Sequence, residues 1–385
     1  MARGDMNDLQ LVKPVIPIND LKRVFGSNAT ALTAATQAVL ASGWWLNGQE
    51  NERFCAEFAE FLGTARCIGV ANGTDALEIA MRALLNVREP HQREVITVAN
   101  AGGYSTIACR LLGLVPVYAD IEERTQLANL DSVLSSVSEE TAFVVATHLY
   151  GGPLNVPRLR EMLDQAGRAD IPILEDCAQA HGASVRGAKV GSLGNVAAFS
   201  FYPTKNLGAL GDAGAIATSD QALADAVASL RQYGWGAKYR GVDEGGRNSR
   251  MDEVQAAALR VLLPGLAAGN ARRRDIIRRY AAAAPSGIAV VDAGEESVGH
   301  LAIVLCDKRD ALLEHMKSRG VATDVHYPIL DCDQPAWRDL PFRTAPDGLP
   351  VSRKSVERIL TLPCFPDLTD DEVDRVCAAL SEWPS

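Results

Sequence analysis

Residues 200–220 read SFYPTKNLGALGDAGAIATSD. A single lysine, Lys205, stands among small residues, a proline and glycines, between two apolar runs at Val196 to Phe201 and Ala215 to Thr218. The runs have the length of buried strands, and the glycines at 208, 211 and 214 allow tight turning and close backbone approach to a ligand. A lone lysine in a loop is ordinarily a solvated surface group. The flanking strands predict instead a lysine held beside a cavity, where poor hydration lowers the ammonium pKa and leaves an amine able to attack an aldehyde.

The pattern around this stretch gives the fold class. Apolar runs at Val95 to Ala99, Val115 to Ala119, Ala142 to Thr147 and Ile171 to Glu175 read as further buried strands. Helix-like segments lie between several of them: Asp75 to Leu85, Ser105 to Leu112, Val156 to Ala166 and Gln221 to Gln232. This alternation predicts an α/β fold with a mainly parallel sheet flanked by helices, whose ligands sit at the carboxyl ends of the strands. A long helix from Met251 to Tyr280 breaks near Pro264-Gly265, after which the pattern changes. Strand-like His300 to Cys306 and Val321 to His326, with helices at Lys308 to Ser318 and Thr369 to Leu380, predict a smaller α+β unit. The expected division is a large domain over 1–260 and a small C-terminal domain over 261–385.

With 385 residues and 47% hydrophobic content, the chain can bury a large core. Its net charge of -10 offers no footprint for nucleic acid or an anionic membrane surface. The arginines at 272–274 and 278–279 read as a solvated helix face with a share in binding an anionic ligand. Eight scattered cysteines without a CxxC pair suggest buried reduced thiols, neither a metal site nor a disulfide framework. Neither a secretory pattern nor an apolar run of about 18 residues is present, so a cytoplasmic chain without a membrane span is expected.

Four other stretches carry candidate chemistry, each with a structural alternative. Asn72-Gly73-Thr74 precedes a helix, where free N–H groups and the helix dipole suit either a phosphate or an ordinary cap. Asp176 follows a buried strand, either as a turn aspartate or as partner to a protonated ring nitrogen. His148 in HLYGG is a packed residue or a functional one. Asn248 and Arg250 lie where a glycine loop enters a helix, as anion ligands or as parts of a capped helix start.

Taken together, SGWWLNGQE, VANGTDAL, HLYGG, EDCAQAHGA, SFYPTKNLGALGDAGA, NSRMDEVQAA and ILTLPCFPDLTDDEV resemble, in order, the DegT/DnrJ/EryC1/StrS sugar aminotransferases of fold type I. The resemblance runs from Ile16 to Val376 and implies the cofactor pyridoxal 5'-phosphate. It further implies that Lys205 carries the cofactor aldehyde as an imine and later moves a proton, while Asp176 keeps the pyridine nitrogen protonated. Gln179 would lie near the phenolic oxygen, and Gly73, Thr74 and Ser200 would bind the phosphate. Asn248 would reach that phosphate from the neighbouring subunit, making the active unit a homodimer with shared sites. Trp45, His326 and Tyr327 fall in segments similar to the family's substrate side.

One departure concerns the aromatic residue that the family stacks on the pyridine ring. Ungapped alignment of TVANAGGYSTIAC puts Gly102 at that position, and a re-registered loop would put Tyr104 there. The implied reaction moves an amino group from L-glutamate, leaving 2-oxoglutarate, to a nucleotide-linked keto-sugar, with dTDP-3-keto-6-deoxyhexoses the nearest fit. Lipopolysaccharide or glycosylated natural-product synthesis is the implied setting. The alternatives are an aminocyclitol (inosose) aminotransferase and a non-catalytic partner subunit. Related sugar dehydratases replace the lysine with histidine, so Lys205 argues against dehydration. A degenerate subunit would be expected to lack Lys205 or Asp176.

Overall fold

The computed structural model describes residues 14–86 and 88–384. An eight-stranded sheet runs Arg66–Val70, Gly214–Thr218, Val196–Ser200, Ile173–Asp176, Thr141–Thr147, Glu94–Val98, Val115–Ala119 and Arg343–Thr344. From Val196–Ser200 to the Arg343–Thr344 edge, all neighbours are parallel. Both faces are covered, so successive strand residues alternate between two buried layers. Val95, Phe143, Val145 and Leu174 enter one, and Ile96, Val144 and Ile173 enter the other.

Helix Gln49–Leu62 anchors the strand leading to Lys205. Phe58 packs edge-on against Phe199, with centroids 5.0 Å apart, and Phe54 packs against Phe201 at 5.3 Å. Such pairs add specific geometry to a large buried area. They fix the point at which the chain turns into the glycine-rich loop.

A second, antiparallel sheet contains Ile288–Val290, Ala302–Cys306 and Ile359–Leu362. Its apolar layer includes Ile276 and Tyr280 of helix Leu266–Ala283, Leu312 and Met316 of Arg309–Ser318, and Val373 and Val376 of Asp370–Ser381. Thr369 and Glu372 form a reciprocal cap at the last helix. Arg23 grips the same Glu372 with two bonds of 2.7 Å, tying helix Leu21–Ser42 to this unit.

Three elements differ from the sequence expectation. Gly214–Thr218 runs antiparallel to Val196–Ser200 because the short lysine loop returns the chain directly beside the strand it left. Arg343–Thr344, from the C-terminal third, joins the edge of the large sheet, with Arg343 held by Glu94. Val321 to His326 is not a strand. Val321 bridges Ile16, Asp324 bridges Thr361, and the segment then continues to the cavity wall at His326 and Tyr327.

Candidate active site

Parallel strands bring distant residues to one edge. Asp176 ends Ile173–Asp176, Ser200 ends Val196–Ser200, and His148 follows Thr141–Thr147. Helix Gly73–Leu85 begins at the same edge, with the Asn72 Oδ1 accepting the Asp75 N–H at 2.8 Å. A Cβ on Gly73 would lie 2.5 Å from the Ser200 Cβ, so the missing side chain lets the helix start touch the strand end. First-turn N–H groups have no intrahelical acceptor and together form the positive end of the helix dipole, which makes this junction an anion cradle.

A cavity of about 840 Å³ opens there. Gly73, Thr74 and Ser200 line it at the cradle, with Asp176, Gln179 and Lys205 further along the wall. Tyr104, His326 and Tyr327 line it as well. Trp45 and Asn248 do not line it within one chain. Trp45 is 59% exposed, and Asn248 lies on the surface, bridged to Gln232.

Lys205 and Asp176 have complementary electrostatics. Burial pushes the Lys205 ammonium down to about 8, and nearby Asp176 partly opposes that shift. The lysine is only partly covered by protein, but the face left open is the cavity itself. Its amine is therefore substantially unprotonated in mildly basic solution. Burial raises the Asp176 carboxyl above its ordinary range, against the opposing pull of the Ala178 N–H, Lys205 and His148. That N–H, at 3.1 Å, is the hydrogen bond its side chain receives. A buried carboxylate so thinly solvated gains most from a cationic N–H donor.

Gln179 is oriented from both sides. Its Oε1 accepts the Tyr150 N–H at 2.8 Å, and its Nε2 donates to the Tyr327 hydroxyl at 3.0 Å. The Tyr150 hydroxyl donates to the His326 carbonyl at 2.5 Å. Gly102, at φ +81°, lies against Tyr327: a Cβ there would be 2.8 Å from Cε1 of the ring. The position aligned with the family's stacking residue thus makes room for a ring from residue 327. Tyr104 begins helix Tyr104–Leu111, and its ring meets Tyr327 edge-on at 6.3 Å.

His148 resolves to a structural role. Its Nδ1 accepts the Leu154 N–H at 2.9 Å, so its Nε2 carries hydrogen and donates to Glu175 at 3.0 Å. The Glu175 oxygens also accept N–H groups from Gly191, Leu193 and Gly194. His148, Glu175 and Cys177 lie within 4.8 Å of one another, but these hydrogen bonds already commit both ring nitrogens and both carboxylate oxygens. The pair braces the strand that carries Asp176.

Sequence reasoning did not select His300 or Cys364, which also line the cavity. His300 sits in an unremarkable stretch before a strand, and its partner Asn206 is 94 residues away in sequence.

The DegT/DnrJ/EryC1/StrS aminotransferase family profile matches residues 27–381. The chain belongs to this family. It is 39% identical over 370 residues to the erythromycin biosynthesis sensory transduction protein EryC1 of Saccharopolyspora erythraea, covering 95% of this chain and 98% of that one. It is 38% identical over 378 residues to a dTDP-3-amino-3,4,6-trideoxy-alpha-D-glucose transaminase of Streptomyces venezuelae, covering 96% of each. Among solved structures, S. venezuelae DesV, described as a complex with a ketimine intermediate, superposes with a TM-score of 0.90 at 37% identity. That match covers 96% of this chain and 99% of DesV.

As a member of this family, the protein is a pyridoxal-phosphate-dependent aminotransferase of fold type I. The residues present fit that cofactor. The Gly73–Ser200 cradle admits backbone against a phosphate, the thinly solvated Asp176 suits a ring N–H, and the Lys205 amine suits an aldehyde. Among the described residues, no helix is long and apolar enough to cross a membrane.

Proposed function

We propose that this enzyme transfers the amino group of L-glutamate to a nucleotide-linked keto-sugar, with a dTDP-3-keto-6-deoxyhexose the best candidate, in the synthesis of an amino-deoxysugar. The observation that carries the reading is the joint placement of Lys205 and Asp176 in a cavity large enough for a hexose beside a cofactor. The transaminase relative from S. venezuelae, matched over nearly its whole length, supports the sugar class. A cytoplasmic location fits the eight free thiols.

Pyridoxal phosphate, when bound, supplies an electron sink for the carbon bearing the transferred nitrogen. The chain's own groups do the rest. Gly73, Thr74 and Ser200 would hold the phosphate, and Asp176 would hold the proton on the ring nitrogen. Lys205 would hold the aldehyde end, and its free amine would move the proton at the reacting carbon. Gln179, pinned by Tyr150 and Tyr327, would lie on the side of the phenolic oxygen. His326 and Tyr327, with Tyr104 beside them on the cavity wall, would border the sugar.

We read residues 1–260 as the large cofactor-binding unit and 261–385 as the small one. The two sheets and the separate apolar layer around the second sheet support this division. Ile16 packs with the small unit and Arg343–Thr344 with the large sheet, so the chain crosses between them at both ends.

We also read the active unit as a homodimer with Asn248 and Trp45 acting across the interface. Asn248 lies on the surface, and Trp44, Trp45, Tyr233 and Tyr239 are large exposed apolar side chains, 66%, 59%, 42% and 78% accessible. Mixing inactive Lys205→Ala and Asn248→Ala chains should restore activity after subunit exchange, because one site of each heterodimer is then intact. No recovery despite verified exchange would place Asn248 in its own chain's site.

The substrate class is tested with ¹⁵N-labelled L-glutamate and a panel of dTDP- and UDP-keto-sugars and inososes, reading labelled product by mass spectrometry. Label should appear first in a dTDP-keto-hexose. Label in an inosose alone would identify an aminocyclitol enzyme. No label in any acceptor from a cofactor-loaded protein would support the non-catalytic reading.

A further inference from the structure

His300 is 6% exposed, lines the cavity, and directly precedes the small-sheet strand region. Its Nδ1 lies 2.8 Å from the Oδ1 of Asn206, the residue after Lys205. Which of these atoms carries hydrogen follows from the wider network. The Asn206 amide donates to the Val298 carbonyl at 3.0 Å and to the Asn270 Oδ1 at 2.8 Å. The Asn270 amide in turn donates to the His181 carbonyl at 2.8 Å. Backbone carbonyls only accept, so they orient both amides and leave the Asn206 Oδ1 as an acceptor. The His300 Nδ1 must therefore bear the hydrogen, and its Nε2 bears a lone pair.

That Nε2 has no hydrogen-bond partner among the described residues and is not sealed from the cavity. The ring is held neutral as well as oriented. Burial drives its pKa well below the ordinary histidine value, and the charges of Lys205 and Arg273, with His181 and His326, push the same way. Arg273 is itself buried, donating to the carbonyls of His300 and Cys364. A neutral imidazole whose lone pair opens on the lysine's cavity is a hydrogen-bond acceptor poised for an amine.

We propose that His300, fixed in its Nδ1–H tautomer by Asn206 and Asn270, is a positioning residue that accepts an N–H of the free Lys205 amine. This rests on Lys205 being the amine of the reaction. An N–H held by His300 fixes the amine's rotation and directs its lone pair, so each proton transfer starts from an ordered base. The same contact stabilises the ammonium, which has N–H groups to donate.

The test has two readouts. In cofactor-free protein, the pH dependence of Lys205 acylation by acetic anhydride, read by peptide mass spectrometry, should show a midpoint near 8. In His300→Phe that midpoint should fall by about one unit, because the ammonium loses an acceptor, while His300→Gln keeps an acceptor and stays near wild type. In single turnovers of the loaded enzyme, His300→Phe should slow the glutamate and keto-sugar half-reactions by the same factor, about tenfold, with KM unchanged. Asn206→Ala, which releases the tautomer, should shift both readouts in the same direction and serves if His300→Phe does not fold. An unmoved midpoint in a folded variant, or a rate loss confined to the keto-sugar half, would overturn the proposal. Either result leaves the role of Lys205 standing, since that role is decided separately by Lys205→Ala.

Discussion

Lys205→Ala is expected to fold, to keep the cofactor non-covalently, and to lose turnover by about 10⁴-fold or more, because the anchoring amine and the proton-moving base vanish together. Borohydride should fix the cofactor to Lys205 in the wild-type protein, and peptide mapping should find no label at any other lysine. The wild-type rate of the keto-sugar half should rise with pH and level off above about 8, where the burial-depressed amine is free of its extra proton. Single-turnover rates across pH 6 to 9 check this. Appreciable turnover in Lys205→Ala, or label on a different lysine, would remove Lys205 from the reaction.

Asp176→Asn should cost about 3 kcal/mol of transition-state stabilisation, roughly a 10²-fold loss in kcat/KM, because an amide cannot hold a proton on the ring nitrogen by charge. The variant should also change how the cofactor-free protein responds to pH. Burial raises the folded carboxyl's pKa, so the folded state binds this proton more tightly than the unfolded chain does. That contribution is present below the unfolded value, about 3.9, and is lost as pH rises through the raised folded value. Asp176→Asn should lack this loss, so its thermal midpoint relative to wild type improves as pH rises through that window. Near-wild-type kinetics would return Asp176 to the role of a turn aspartate.

The lysine loop and the apolar runs were legible because each is a local pattern. A buried strand, a glycine-rich turn and a capped helix start announce themselves within a dozen residues, and parallel pairing then gathers Gly73, Asp176, Ser200 and Lys205 at one edge. The direction of Gly214–Thr218 was not legible, since a buried strand reads alike in parallel and antiparallel settings. Nor could periodicity show Arg343–Thr344 joining the large sheet across the chain. His148 reads either way in the sequence, because its two ring partners, Leu154 and Glu175, are brought to it by the fold. The tautomer of His300 depends on amides and carbonyls from four separate segments, an arrangement that exists only after folding.

Whether the amine goes to a sugar can be read from the rate at which each acceptor discharges the aminated cofactor. The enzyme is loaded with amine from L-glutamate, freed of excess donor, and mixed in stopped flow with a nucleotide-linked keto-sugar, pyruvate or oxaloacetate while the cofactor absorbance is followed. A small acid would leave most of the room that the 840 Å³ cavity keeps beside the bound cofactor, and the polar groups there, unfilled, so it forgoes binding energy that a hexose and diphosphate would use in reaching the transition state. Discharge by a dTDP-linked keto-sugar should be far faster than by either small acid. Faster discharge by pyruvate or oxaloacetate, with no response to any keto-sugar or inosose, would contradict the sugar assignment while leaving the pyridoxal-phosphate chemistry intact.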